Sequence, residues 1–302
     1  MKLVCYSARS GPAAGVLGDD GIRDAAAVFG LPAGSIRDVQ ALLEAGPDVL
    51  DRLSAALAAT DVEVVPGAAL RAPLLQPPAI RDFVGFAEHV RRAGARVGLA
   101  GQPDASWYAD PVFYFSNPST VVGPGETVCA DADAAVDYEV ELGFVIGAEC
   151  CDVDAAAGLA SVAGVTLYND WSDRARCGPE KAGFGFHKAK DFAQGLGPWV
   201  LTLDEVADRL VDGRLDLRVQ ARVDGRLTTD ANTGGIHWSI GEMVAYASRH
   251  SRLRPGDVLG TGTVPGGCLW EDDGDADLPA GTWSRSPASA SGHCARKCGD
   301  HE

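Results

Sequence analysis

Three carboxylates recur at every second position in one short stretch of the chain. Asp137, Glu139 and Glu141 stand in the run DYEVE. In a strand these side chains would point to one face, because successive residues alternate between the two faces. Carboxylates crowded together repel unless a cation neutralises them, and their oxygens suit Mg²⁺, Mn²⁺ or Ca²⁺. The spacing indicates a metal site, but a half-exposed strand with an acidic solvent face explains it equally well.

A further carboxylate follows an apolar run later in the chain. Asp170 lies in NDWS, directly after the strand-like run AGVTLY. At the end of a strand, a loop can direct such a side chain into a cleft. Asn, Asp and Ser also favour the first position of a helix, so a helix cap is an equal alternative.

The segment RDFVGFAEHVRRAGAR combines an acid, a histidine and several arginines. Asp82 and His89 are seven residues apart, which on a helix is two turns and therefore one face. A histidine near a substrate can act as a general base, because its ordinary pKa is near neutrality. Arg91, Arg92 and Arg96 are available to bind substrate carboxylates. A surface amphipathic helix is the alternative interpretation.

Two later motifs could contact a substrate. Lys190 in HKAKDF could stabilise negative charge that develops on an oxygen, although a solvated lysine is the commoner outcome. The run GTGT at positions 260–263 lets the backbone approach a ligand closely. It lacks the Lys-Ser/Thr pair of a phosphate-binding loop, so we expect it to contact a carbonyl group instead.

The elements that must position these residues fall into two parts. Residues 1–60 begin with the strand-like KLVCYS and continue with helical spacing, and a connecting segment with four prolines covers residues 62–80. From residue 80 onward, short β-rich runs alternate with Gly and Pro, which is typical of a mixed β domain. The run IHWSIGEMVAYASRH is its clearest helix.

Composition excludes several functional classes. The chain has 302 residues and a net charge of −16, which argues against nucleic-acid binding. No apolar run approaches the roughly 20 residues of a membrane helix, and the first residues lack a secretory signal. We therefore expect a cytoplasmic protein whose eight cysteines are free thiols and whose ligand is a small molecule.

In order along the chain, these motifs resemble the fumarylacetoacetate hydrolase family. The matching stretches are RDFVGFAEHV, DPVFYFSNPSTVVGPG, VDYEVELGFVIG, VTLYNDWSDR, AKDFAQGLGPWV and RPGDVLGTGTVPGGC. The resemblance implies an α+β fold with a mixed β-roll over residues 66–275. A small N-terminal α/β domain would cover residues 1–65, and the protein would be a homodimer.

The resemblance also implies roles for individual residues. Glu139, Glu141 and Asp170 correspond to metal ligands, and Asp82 to a fourth ligand of Mg²⁺, Mn²⁺ or Ca²⁺. The residues that match catalytic groups are His89 as the base, Glu271 as its orienting carboxylate, and Arg174 and Lys190 as stabilisers of an oxyanion. Tyr114, Gly262 and Thr263 correspond to substrate contacts.

The implied reaction is hydrolysis of a carbon–carbon bond in a 1,3-diketo acid of the acylpyruvate or fumarylacetoacetate type, as in aromatic catabolism. The same family site also serves isomerases, decarboxylases and hydratases of 2-oxo acids. A metal-binding member with impaired catalysis is a third alternative. Ala175 and Cys177 favour it, because they stand where the family often has Asp and Gln.

The C-terminal tail, residues 276–302, departs from the family pattern of two closing strands. A reading frame two bases on would convert Pro279 to Ser284 into Gly-Gly-Asp-Val-Val, given G in the relevant third codon positions. These are the family's closing residues. We therefore hypothesise a frameshift near residues 270–278, which resequencing of the gene tests. An uninterrupted frame would contradict it.

Overall fold

The computed structural model describes residues 1–96, 103–182, 185–272, Leu278 and the backbone of residues 294–297. The first strand forms over the apolar run that predicts it, and two further strands follow directly. The N-terminal strands are β1 (Lys2–Ala8), β2 (Gly11–Gly18), β3 (Gly21–Asp24), β4 (Val64–Val65) and β5 (Leu70–Arg71). Three helices lie between β3 and β4, namely α1 (Ala25–Val28), α2 (Val39–Leu43) and α3 (Val49–Ala59).

The rest of the chain forms many short strands, as the Gly- and Pro-separated runs predict. They are β6 (Ile80–Phe83), β7 (Phe113–Ser116), β8 (Val121–Val122), β9 (Thr127–Ala130), β10 (Val136–Asp137), β11 (Val140–Ile146), β12 (Val162–Asp170), β13 (Ser172–Asp173), β14 (Gln194–Leu196), β15 (Val200–Thr202), β16 (Leu210–Val211), β17 (Arg214–Leu215), β18 (Arg218–Val223), β19 (Arg226–Asn232), β20 (Val258–Gly260) and β21 (Cys294–Lys297).

Five helices accompany these strands. They are α4 (Ala87–Arg96), α5 (Ala155–Ala160), α6 (Arg174–Ala182), α7 (Ile240–Ala247) and α8 (Leu269–Asp272), with 3₁₀ segments at Pro118–Thr120 and Leu203–Arg209. The predicted helix in IHWSIGEMVAYASRH is confirmed as α7. It begins after Ser239, because Ser239 and Glu242 form a reciprocal capping box that satisfies the first backbone N–H groups. None of the helices in the described part of the chain is long and apolar enough to cross a membrane.

One 13-stranded mixed sheet joins most of these elements into an α+β fold. Its main path runs β4-β3-β2-β1-β15-β12-β11-β20-β6-β7, and it does not close into a barrel within the described residues. The N-terminal strands continue the sheet through the pairing of β1 with β15. β6 enters by parallel pairing with β20, where Asp82 stands opposite Gly260.

The two faces of the sheet are covered by different helices. Alternation along β11 sends Phe144 to one face and Val145 to the other. Val145 belongs to a core that includes residues of α2 and α3, whereas Phe144 packs in the core around α7. The central strands are therefore held on both sides, which gives rigid support to side chains at their ends.

The tail is only partly within the described residues. Leu278 is buried, and its N–H donates to the Val136 carbonyl at 2.9 Å. The expectation that the tail lacks a strand is wrong for β21, whose backbone pairs in parallel with β9. The remaining tail positions lie outside the described residues, so the frameshift stays a hypothesis.

Candidate active site

Three of the predicted metal ligands come together at the ends of neighbouring strands. Asp82 lies on β6, Glu141 on β11 and Asp170 at the last residue of β12, which confirms its predicted strand-end position. One carboxylate oxygen from each lies within 4.8 Å of the others, and each residue is at most 1% exposed. We call these residues the carboxylate cluster.

Glycine makes the close approach of these strands possible. A Cβ at Gly260 would lie 2.5 Å from the Asp82 Oδ1 atom, so a larger residue would displace the cluster. Gly262 has φ of +81°, and its N–H donates to Glu141 Oε2 at 2.8 Å. The Thr263 hydroxyl lies 3.5 Å from Glu141 Oε1. Two predicted substrate contacts therefore also hold a cluster member in place.

The cluster carries more negative charge than its surroundings balance. Burial and the neighbouring Asp170 raise the pKa of Asp82 to about 8. Burial and Asp82 hold the pKa of Glu141 well above its usual range. Burial also raises the pKa of Asp170, despite the opposing contact with the Lys190 ammonium. Carboxylates in this condition gain from a cation that neutralises them.

The donors fit a hard divalent cation. Asp82 Oδ1 is buried and receives no hydrogen bond, so one acceptor of the cluster is left for a ligand. The Tyr114 hydroxyl donates to Asp82 Oδ2 at 2.7 Å and also contacts Asp170 Oδ2. Carboxylate oxygens are the ligands that Mg²⁺, Mn²⁺ and Ca²⁺ prefer. The residues present therefore fit such an ion, with Tyr114 orienting two of them.

Glu139 is in a different electrostatic situation from the carboxylate cluster. Lys190 Nζ lies 2.6 Å from Glu139 Oε2, and Arg174 Nη1 lies 2.7 Å from Glu139 Oε1. Burial alone would raise the pKa of Glu139, but these two cations outweigh it and lower the pKa. Its predicted role as a metal ligand remains a prediction, since it lies beside the cluster and is already paired.

Arg174 is held by a second acid. Its guanidinium contacts Asp137 Oδ2 at 2.7 Å, and Asp137 also accepts the backbone N–H groups of Leu269 and Trp270. The prediction that Asp137, Glu139 and Glu141 share one strand is wrong, because β10 ends at Asp137 and β11 begins at Val140. We call Asp137, Glu139, Arg174 and Lys190 the paired group.

His89 and Glu271 form the second functional arrangement. His89 Nδ1 lies 2.6 Å from Glu271 Oε1, and the backbone N–H of Gly266 donates to Glu271 Oε2 at 2.7 Å. When Nδ1–H donates this hydrogen bond to Glu271, Nε2 of the ring is left as an acceptor. The carboxylate predicted to orient His89 is therefore in contact with it, and His89 is placed to take a proton.

Both arrangements open on one cavity of 470 Å³. Its lining includes Asp82, His89, Glu139, Glu141 and Lys190. Side chains of the carboxylate cluster and His89 can therefore reach the same small molecule.

The comparison with known families decides the relationship. The family described as "Fumarylacetoacetate (FAA) hydrolase C-terminal" matches residues 79–292. The chain belongs to this family. A Burkholderia cenocepacia protein named "Putative hydrolase" is 36% identical over 196 residues, which cover 62% of this chain and 63% of that protein.

Two solved structures of family type share the fold over almost the whole chain. Maleylpyruvate hydrolase from Sphingobium sp. SYK-6, in complex with manganese(II) and pyruvate, has a TM-score of 0.72 at 24% identity and covers 98% of this chain and 99% of that one. The 2-hydroxyhepta-2,4-diene-1,7-dioate isomerase from Mycobacterium marinum has a TM-score of 0.67 at 23% identity, with 99% and 100% covered. The fold thus accompanies both hydrolases and isomerases.

In this fumarylacetoacetate hydrolase family member, the prediction that Asp82 and His89 lie on one face of a helix is wrong. Asp82 lies in β6, whereas His89 lies in α4, which begins only at Ala87. Gly85 separates the two elements, and its N–H donates to the Thr261 carbonyl at 3.0 Å. Pairing of β6 with β20 therefore overrides the helical spacing.

The arginines of α4 are also placed differently from the prediction. Arg91 pairs with Glu88, Arg92 contacts Glu88 and Glu271, and Arg96 donates to the Trp270 carbonyl. The three arginines are absent from the described lining of the cavity. They brace the helix and the pair of His89 and Glu271, so the expectation that they bind substrate carboxylates is wrong.

Sequence reasoning missed some supporting residues. Gln194 donates to the Lys190 carbonyl at 2.5 Å and contacts the Tyr168 hydroxyl, but an isolated Gln in a short strand carries no signal. Asp137 was visible as a carboxylate but not as the anchor of Arg174. Cys177 lines the cavity, and burial raises the pKa of its thiol, so it stands there as a neutral group.

Proposed function

We propose that the protein hydrolyses a carbon–carbon bond in a 1,3-diketo acid of the acylpyruvate type. The observation that carries this is that His89, held by Glu271, opens on the same cavity as Asp82 and Glu141 of the carboxylate cluster. A divalent ion held by Asp82, Glu141 and Asp170, with Glu139 as a further predicted ligand, would bind the substrate oxygens and stabilise enolate charge.

The protein's own residues account for the proton transfers. Glu271 holds the His89 ring so that Nε2 takes a proton from water, and the resulting hydroxide attacks the ketone carbon of the acyl group. Arg174 and Lys190 supply positive charge on the cavity wall, and this charge stabilises the oxygen of the attacked carbonyl group as it becomes negative. The bond to the central CH₂ then breaks, and its electron pair passes to that carbon.

Atoms and charge balance in this scheme. One acylpyruvate anion and one water give one carboxylic acid, which ionises, and one pyruvate anion. His89 returns the proton taken from water to the CH₂ carbon, so pyruvate leaves with a methyl group. We further propose Mg²⁺ or Mn²⁺ as the ion and a homodimer as the assembly.

The test separates chemistry from binding. Purified protein with Mn²⁺ and acetylpyruvate should lose enol absorbance and release pyruvate, which a coupled lactate dehydrogenase assay detects. His89→Ala should lower kcat by about 10²- to 10⁴-fold, because a general base contributes that much. Its Mn²⁺ affinity, measured by calorimetry, should stay unchanged.

His250→Ala is the matched control, because the His250 side chain is 96% exposed and is not among the described residues that line the cavity. An unchanged rate in His89→Ala would contradict the proposal. Loss of enol absorbance without pyruvate would instead indicate the isomerase alternative, and Mn²⁺ binding without any turnover would indicate an impaired member.

A further inference from the structure

The cavity lining divides into two chemically different parts. The polar part includes Asp82 and Glu141 of the carboxylate cluster, together with His89. It also includes three members of the paired group, Glu139, Arg174 and Lys190. Another part of the wall is apolar and includes side chains from α4 and the segment around Trp107, namely Phe86, Val90, Ala93, Trp107, Val112 and Trp270. The division matters because one ligand spanning the cavity must match both.

Trp107 is fixed in this apolar wall. Its indole Nε1 donates to the Val84 carbonyl at 2.8 Å, and the ring packs 4.8 Å from Tyr108 and 5.2 Å from His237 between ring centres. A ring held on several sides gives a rigid apolar contact surface at little entropic cost. Ala93 faces the same cavity one helical turn beyond His89, which leaves space beside the base.

Charge near the apolar wall disfavours an anionic ligand group. Asp104 lines the same region, and hydrogen bonds from Ser106 and from the backbone of Trp107 and Ser106 lower its pKa, so it stays ionised. Arg174 and Lys190 pair with Glu139 in the polar part of the cavity, and Arg91 and Arg96 of α4 contact Glu88 and the Trp270 carbonyl. A carboxylate here would lie against apolar side chains without a buried cation, and the exposed Asp104 adds a weak, solvent-screened repulsion.

One cation remains among the described lining residues. Lys181 has no ion pair within the described part of the chain, but it is exposed near the end of α6. A solvated ammonium contributes little to binding an anion.

From these observations we infer that the acyl group of the substrate is apolar, a branched alkyl or aryl group lying against Trp107, Val90 and Ala93. This inference rests on the proposed function, because it takes the 2-oxo acid end to lie at the carboxylate cluster. It distinguishes the substrate from diketo acids whose acyl chain ends in a second carboxylate.

The test compares two acylpyruvates of nearly the same shape. In 4-methylpentanoylpyruvate an isopropyl group stands where succinylpyruvate has a carboxylate. We expect kcat/KM for the branched compound to be at least about tenfold higher than for succinylpyruvate. Burial of apolar surface favours binding of the isopropyl group, whereas the cost of desolvating a carboxylate opposes binding of succinylpyruvate. Equal values, or a preference for succinylpyruvate, would overturn the inference.

A pair of variants at one position tests the wall directly. Ala93→Arg should reverse or remove the preference by supplying a cation, whereas Ala93→Gln has similar length without charge and should keep it. Lys181→Ala should change the ratio less than twofold. A large loss of succinylpyruvate turnover in Lys181→Ala would assign Lys181 as a carboxylate-binding residue and overturn the inference.

Failure of the proposed reaction can be told apart from failure of this inference. Acetylpyruvate, whose methyl group is too small to reach across the apolar wall, reports on hydrolysis alone. Dissociation constants of the two larger acids for Mn²⁺-loaded His89→Ala report on the wall alone. If no acid is cleaved, a tenfold tighter binding of the branched acid still supports the inference, and equal or absent binding overturns it.

Discussion

The carboxylate cluster and the paired group contain the same kind of side chain in opposite electrostatic states. In the cluster, burial and mutual repulsion raise the pKa of Asp82 to about 8. In the paired group, Arg174 and Lys190 overcome burial and lower the pKa of Glu139. The two groups touch through Lys190, which contacts both Glu139 and Asp170.

The difference separates a structural use of charge from a ligand-binding use. The paired group is close to neutral by itself, so it can hold its geometry without any ligand. The cluster is short of positive charge, so it is stable only when protonated or when a cation binds. A site can therefore be rigid on one side and dependent on its ligand on the other.

The largest expected effect comes from a substitution that removes one cation of the paired group. Arg174→Ala leaves Asp137 and Glu139 buried with less compensation, and should lower the free energy of unfolding by about 3–5 kcal/mol. Urea unfolding in the presence of a chelator measures this. Arg252→Ala is the control, because its pair with Glu149 is exposed and should contribute about 1 kcal/mol or less. Similar losses in both variants would contradict the comparison.

The next effect is the stabilisation of the carboxylate cluster by an added divalent cation. Mn²⁺ at a hundred times its dissociation constant should raise the free energy of unfolding by about 2.7 kcal/mol. Asp82→Asn should remove most of that gain, because it replaces a charged ligand whose Oδ1 is free. Asp19→Asn, at an exposed position, should leave the gain intact. Thermal unfolding with and without Mn²⁺ distinguishes these results.

A third test of the comparison is the pH dependence of the metal-free protein. Because the folded pKa of Asp82 is about 8 and its ordinary value is 3.8, the folded state holds more protons between these pH values. Its contribution to stability is complete below about pH 4 and is lost as the pH rises through 8. Asp82→Asn should remove this part of the decline, which unfolding curves of both proteins between pH 5 and 8.5 measure. Parallel curves would show that Asp82 is not protonated.

Local sequence patterns predicted which residues take part in the site better than they predicted how those residues contact one another. Position at a strand end was enough to place Asp170, and alternation brought out Glu139 and Glu141. Neither pattern could show that Lys190 and Arg174 neutralise only one of the two glutamates. That depends on distances between segments far apart in sequence, which periodicity does not encode.

The fold shows the same limit. β1 was visible in its large apolar residues, but the following β2, with sequence GPAAGVLG, has mostly small residues and no clear alternation. Pairing with β1 specifies it, as in the register of Leu3 with Val16. In β6 a helical spacing was misleading, because the parallel partner β20 comes much later in the chain.

Because β20 comes late in the chain, its pairing with β6 also determines when the carboxylate cluster can form during folding. The buried contact between Arg81 and Asp257 joins positions 176 residues apart, beside the pairing that places Asp82 at the cluster. Closing so long a loop is slow relative to forming local helices and hairpins. Most of the chain can therefore acquire local order before any carboxylate cluster is present, and the ability to bind a divalent ion reports on a long-range step of the folding reaction.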